Sequence, residues 1–104
     1  MRTEAGLGSA AEQGRAALAA LDLALSKKPE RDGHAFSEMT ERLCVMRDLL
    51  IQGCRDRGHS REVLGRLNSV ISTALAGHFP LGSTPWSEVE HARGMLETLI
   101  ADVQ

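Results

Sequence analysis

Ala35-Phe36-Ser37-Glu38-Met39-Thr40-Glu41-Arg42-Leu43-Cys44-Val45-Met46-Arg47-Asp48-Leu49-Leu50-Ile51-Gln52-Gly53-Cys54-Arg55-Asp56-Arg57 is the stretch whose reading decides the fold. Phe36, Met39, Leu43, Met46, Leu50 and Cys54 recur at steps of three and four. At 100° per residue they fill an arc about 80° wide, which is the pattern of an amphipathic helix. Val45 and Leu49 lie on another side, and Cys44 and Ile51 on a third. A helix apolar over so much of its circumference is central to a bundle or shared with a partner chain. Gly58 is well placed to stop it, so the spacing predicts a helix over 35–57.

Towards the N-terminus, Pro29-Glu30-Arg31-Asp32-Gly33 forms a turn, and Pro29 ends an earlier helix over about 10–27. Leu18, Leu21 and Leu25 share one face of it with Ala11, Gly14 and Ala17, and Leu7 extends that stripe if the helix starts early. Ala16, Ala19, Ala20 and Ala24 favour helix intrinsically. Lys27 and Lys28 suit the C-terminal end of the helix dipole. Residues 1–9 are expected to be a flexible N-terminal segment, ahead of a single domain over 10–104. They contain Glu4 and no basic region followed by an apolar run, so they do not read as a signal peptide.

Towards the C-terminus, Ser60 can cap a third helix over 61–76, with Glu62 in its first turn. Its core stripe is Val63, Leu64, Leu67, Val70, Ile71, Ala74 and Leu75, and Gly77 is the expected stop. The loop from His78 to Ser83 can lay Phe79 and Leu81 across the bundle end. Thr84-Pro85-Trp86-Ser87-Glu88 is the sharpest helix start in the chain, with Thr84 as cap and Pro85 at the first helical position. It opens a fourth helix over 85–102 that buries Val89, Ala92, Leu96, Leu99, Ile100 and Val103. Short connections make neighbouring helices antiparallel. The expected fold is all-α, a compact four-helix bundle.

Composition narrows the classes of function. The 104 residues carry 12 Lys or Arg against 14 Asp or Glu, a net charge of −2, which argues against a general polyanion binder. No apolar stretch approaches the ~18–20 residues of a membrane span, and the cytoplasm is the default address. Cys44 and Cys54 are about 15 Å apart along one helix, too far to bridge each other, and are read as small buried residues. His34, His59, His78 and His91 form no metal-ligand spacing with each other or with the cysteines. No acid falls on a core stripe, and there is no strand to carry a phosphate loop. His91 sits beside Glu90 and Glu88, which would repel a phosphoryl group. The expectation is therefore a non-enzyme with no cofactor.

Two features remain. Around residues 49–67, Cys54, Gly58, Leu64 and Leu67 match the small, turn and apolar positions of a helix-turn-helix. Arg55, Arg57, Arg61 and Arg66 would be the anion contacts, making DNA the alternative partner. Against this, Arg57 and His59 flank the glycine where apolar anchors are usual, and no further cation follows on the third helix.

The second feature is an absence. From Leu67 through Ser87, 21 consecutive residues include no Asp, Glu, Lys or Arg. Opposite the core stripe of the third helix stand Gly65, Ser69, Ser72 and Ala76, small residues that let another helix approach closely. Either a helix of the same chain covers this face or a partner does. With Val45 and Leu49 on the second helix, these residues make the candidate interface. The preferred expectation is a small protein–protein interaction module, an adaptor, chaperone or regulatory subunit that forms a homodimer.

Overall fold

Apolar periodicity is realised as four helices: α1 (Ala5–Ser26), α2 (Gly33–Arg57), α3 (Arg61–His78) and α4 (Trp86–Val103), with no strand among the described residues. The computed structural model describes the backbone of residues 5–57 and 61–103, and the side chains of residues 10–52 and 61–103. Consecutive helices pack against each other and α4 closes back on α1, while the diagonal pairs α1/α3 and α2/α4 make no backbone contact among the described residues. Contacts far apart in sequence set the directions. Arg42 of α2 donates to Gln13 of α1, Phe36 of α2 meets Gly77 of α3, Arg66 of α3 meets Asp102 of α4, and Arg93 early in α4 meets Asp22 late in α1. Every neighbouring pair is therefore antiparallel. The result is an elongated four-helix bundle of 42 × 24 × 19 Å.

The core pairs a small face with a large one. α1 contributes Ala10, Ala11, Ala17, Ala20 and Ala24 around Leu21, and α2 contributes Phe36, Met39, Leu43, Met46 and Leu50, all buried. Alanine on α1 lets the long side chains of α2 reach the centre, where they meet Leu67, Val70 and Ala74 of α3 and Leu96 and Leu99 of α4. Gly14 takes this furthest. A Cβ there would stand 2.9 Å from Cγ1 of Ile100 and 3.2 Å from the Met46 thioether.

Helix ends differ from the sequence expectation where tertiary contacts intervene. α1 begins at Ala5, ahead of Ala10, and closes at Ser26. Lys27 and Lys28 follow as a tightened turn, their N–H groups donating to the Ala24 and Leu25 carbonyls. α2 starts at Gly33, two residues before Ala35, because Asp32 caps it: its Oδ1 accepts the Ala35 N–H at 3.1 Å and its carbonyl accepts that of Phe36. That bond to Ala35, opposed by partial burial and aided by Lys27, holds the Asp32 carboxyl below its ordinary value of 3.8. Gly77 does not stop α3, which runs on to His78. The glycine is buried against the Phe36 ring, and the Phe79 N–H donates to the Leu75 carbonyl at 2.8 Å. At the start of α4, the Pro85 carbonyl accepts the Val89 N–H, so Pro85 stands at the cap and Trp86 opens the helix. The Gly58 stop and the Ser60 cap fall outside the described residues.

The bundle end is also covered differently. Phe79 is 67% exposed and Leu81 fully exposed, so neither lies across the end as expected. Trp86 takes that place, its ring centroid 6.1 Å from that of Phe36, with the Lys28 ammonium above it and ion-paired to Glu90. Leu75, read as core, is 42% exposed, and Leu23, Val45 and Ile51 also reach the surface.

Two glycines of one helix should respond oppositely to alanine. Gly77→Ala drives a methyl into the Phe36 ring and should destabilise by about 1–3 kcal/mol despite the better helix propensity. Gly65→Ala meets nothing within 4 Å and should stabilise by up to about 1 kcal/mol. Urea denaturation of the two variants checks the pair.

Asp32 should leave a mark on acid stability. Because its carboxyl titrates lower in the folded chain than in the unfolded one, its contribution is complete above the ordinary value of 3.8 and is lost as pH falls through the folded value. Asp32→Ala should therefore melt a few degrees lower than wild type at pH 7, with the gap narrowing below about pH 4.

Candidate interaction surface

Helical geometry sets Gly65, Ser69, Ser72 and Ala76 within an arc about 60° wide, opposite the buried Leu67 and Ala74. Gly65, Ser69 and Ser72 are exposed and Ala76 is half-buried; neither α1 nor α4 lies over them. Two hydroxyls, Ser69 on this face and Thr73 at its edge, bond back to the helix. Ser69 Oγ donates to the Gly65 carbonyl at 3.3 Å, and Thr73 Oγ1 to the Ser69 carbonyl at 3.2 Å. A partner could cover these hydroxyls without leaving their donors unpaired, which removes much of the usual penalty for burying polar groups.

The apolar residues expected to join this face from α2 do not adjoin it. Val45 and Leu49 lie within about 60° of Arg42 around the helix, and Arg42 donates to Gln13 of α1. They belong to the α1 flank. Leu49 is half-buried against the core, and Val45 is exposed. Ile51 stands about 180° from Arg42 and so belongs to the flank facing α3. The exposed residue that does border the small-residue face is Leu75, about 180° around α3 from the Arg66 side that meets α4. Phe79 and Leu81 continue the uncharged surface past the helix end. The sequence pattern puts Leu75 in the core and lays Phe79 and Leu81 across the bundle end. The available signal was the uncharged run itself, which extends through the loop.

Of the four arginines of the alternative reading, the side chains of two are described, and they differ. Arg61 is exposed, but Arg66 is engaged by Asp102 at 2.9 Å, on the α4 flank. The side chains of Arg55 and Arg57 lie outside the described residues, as do Cys54, Gly58 and His59. The first residues of α2 meet the last of α3, so the two helices form a long antiparallel hairpin. A helix-turn-helix pair crosses at a steep angle instead.

Charge is gathered along the other seams. Arg93 bridges Asp22 of α1 and Glu97 of its own helix, Arg42 pairs with Glu38, and Lys27 reaches Asp32. The hydrogen bond that Arg93 donates to Asp22, reinforced by the charges of Asp22 and Glu97, raises its guanidinium above the ordinary value; Glu38 does the same for Arg42. Among the described residues no three His, Cys, Asp or Glu side chains gather as metal ligands would, and no helix is long and apolar enough to cross a membrane. Cys44 is a half-buried free thiol.

The chain matches no family model, no curated protein and no solved structure.

An uncovered face has a simple energetic consequence. Ser69→Ala and Ser72→Ala should each change stability by less than about 0.5 kcal/mol, since neither side chain supports a tertiary contact. Thermal melts of the two variants measure this.

Proposed function

We propose that this chain is a non-enzymatic helical interaction module that pairs with a second copy of itself through the outward face of α3, working as an adaptor, chaperone or regulatory subunit. The observation that carries the reading is the fate of the uncharged run. Its inner half fills the core, while Ser69, Ser72 and Leu75 of its outer half meet solvent. A purely solvated helix face normally holds Lys and Glu, whose absence leaves a surface cheap to dehydrate.

Self-pairing is favoured over a charged partner for a reason of symmetry. A two-fold interface sets a surface against itself, so a patch of one sign repels its copy, whereas an uncharged patch does not. With the axis between Ser69 and Ser72, an antiparallel pair of α3 helices brings Gly65 of one copy level with Ala76 of the other. Small residues then face each other along the contact and the backbones can approach closely. A reducing compartment, the cytoplasm, suits the free Cys44 thiol.

Sedimentation velocity across a dilution series tests this. The wild type should move from monomer to dimer as concentration rises to about 100 μM, and the Ser69→Glu/Ser72→Glu double variant should stay monomeric with unchanged helicity. A wild type that is monomeric throughout overturns the reading. A dimer indifferent to both glutamates overturns the assignment to α3.

A further inference from the structure

At the end of the α3 face, with which it shares Ala76, the corner where α3 ends and α4 begins encloses an open recess of about 310 Å³. Its floor is Ala76, its walls are Phe79, Pro80, Leu81 and Pro85, and the only charged group in its lining is Glu88. We propose that this recess receives an apolar side chain of a partner polypeptide, with a neighbouring basic residue of that polypeptide paired to Glu88. The proposal rests on the reading of this chain as an interaction module, but not on its self-association.

The size favours a side chain over a free metabolite. Small-molecule sites occupy roughly 300–1,000 Å³ and bury most of their ligand, and this recess is at the bottom of that range and open on one side. The lining favours an aliphatic or aromatic occupant. Phe79 is 67% and Leu81 fully exposed, so apolar surface stands in water that such an occupant would displace.

The recess is also held in shape before anything binds. Pro80 and Pro85 fix their own backbone, and Gly82 turns the loop at a φ of +150°, which a residue with a Cβ rarely adopts. Arg31 ties down the end of α3 by donating to the Gly77 and His78 carbonyls at 3.4 and 3.3 Å. A preformed site spends little of its binding energy on ordering itself.

Charge decides the occupant's second feature. Glu90, two residues on and on another side of α4, is paired with Lys28, but Glu88 has no ion-pair partner among the described residues. The rim therefore carries one carboxylate that, although favoured by the α4 N-terminus, has no cation paired to it among the described residues, beside an apolar wall. An acidic segment or an anionic lipid surface would be repelled there, and a basic side chain adjoining an apolar one is complementary.

The probe is an acetylated, amidated pentapeptide with two leucines and an arginine between terminal serines, together with its counterpart carrying glutamate for arginine. Backbone amide shifts of the full ¹⁵N-labelled chain are followed during titration. The arginine peptide should shift the amides of residues 76–88 saturably, and the glutamate peptide should bind about fivefold weaker. Glu88→Gln should close that gap to less than about twofold, and Ala76→Leu, which fills the floor, should abolish the shifts while leaving the rest of the spectrum in place.

Absence of saturable shifts, or equal binding of the two peptides to the wild type, overturns the proposal. Titrations are run well below the self-pairing concentration, and shifts of residues 79–88, beyond the α3 pairing face, on concentrating the protein alone also overturn it, since a second copy would then fill the recess. Sedimentation of the same samples separates the two readings. A dimer that ignores both peptides removes this inference alone, and a monomer that binds the arginine peptide removes only self-pairing.

Discussion

The contact of the Phe36 ring with the backbone of Gly77 organises one whole end of the bundle. Phe36 comes from the first turn of α2 and Gly77 from the last turn of α3, so the contact fixes the height at which these helices meet. Only a residue without a side chain leaves room for the ring. Trp86, from the start of α4, packs on the same phenylalanine, and Lys28, from the α1–α2 connection, lies over Trp86. Three helices and one linker thus converge on a single buried ring. The polar devices around it depend on that convergence: Asp32 can cap α2, and Arg31 can reach the last carbonyls of α3, because Phe36 draws those ends together.

This arrangement also separates two kinds of surface. Ion pairs run along the seams of α1 with α4 and with the start of α2, and one more, Arg66 with Asp102, ties α3 to α4. Each is at least partly exposed and contributes little by itself, yet together they occupy the charged groups of those seams. From Leu67 onward the outward side of α3 and the loop after it carry none, although Arg61 and Glu62 stand exposed in the first turn of the helix. One stretch of surface is thus left uncharged, which is the reverse of what a free-standing surface helix usually shows.

Much of this is legible in the residues. The stripe Phe36, Met39, Leu43, Met46 and Leu50 is fully buried, as is the set Val89, Ala92, Leu96, Leu99 and Ile100, because a period of 3.6 states which side of a helix faces inward. The small-residue side of α3 is legible for the same reason. What periodicity leaves open is which neighbour stands on which flank. Val45 and Leu49 could be placed off the core stripe, but their position beside α1 followed only from the order of helices around the bundle. The candidate surface accordingly gained Leu75, Phe79 and Leu81 and lost its α2 contribution.

The stripe over 35–57 and those of the other segments, with the breaks at Pro29, Gly58 and Thr84, are sufficient to specify four helices and their inward faces, since both depend on local spacing and capping. The helix ends and the working surface were decided by tertiary structure. Gly77 is a plausible stop for a lone helix, yet in the bundle it is an interior residue, because the ring it accommodates lies 41 positions away in sequence. Phe79 and Leu81 have the composition of buried residues, yet they stand in water because Trp86 reaches Phe36 first. Local chemistry sets what each segment prefers, and competition for the same buried space settles which segment gets it.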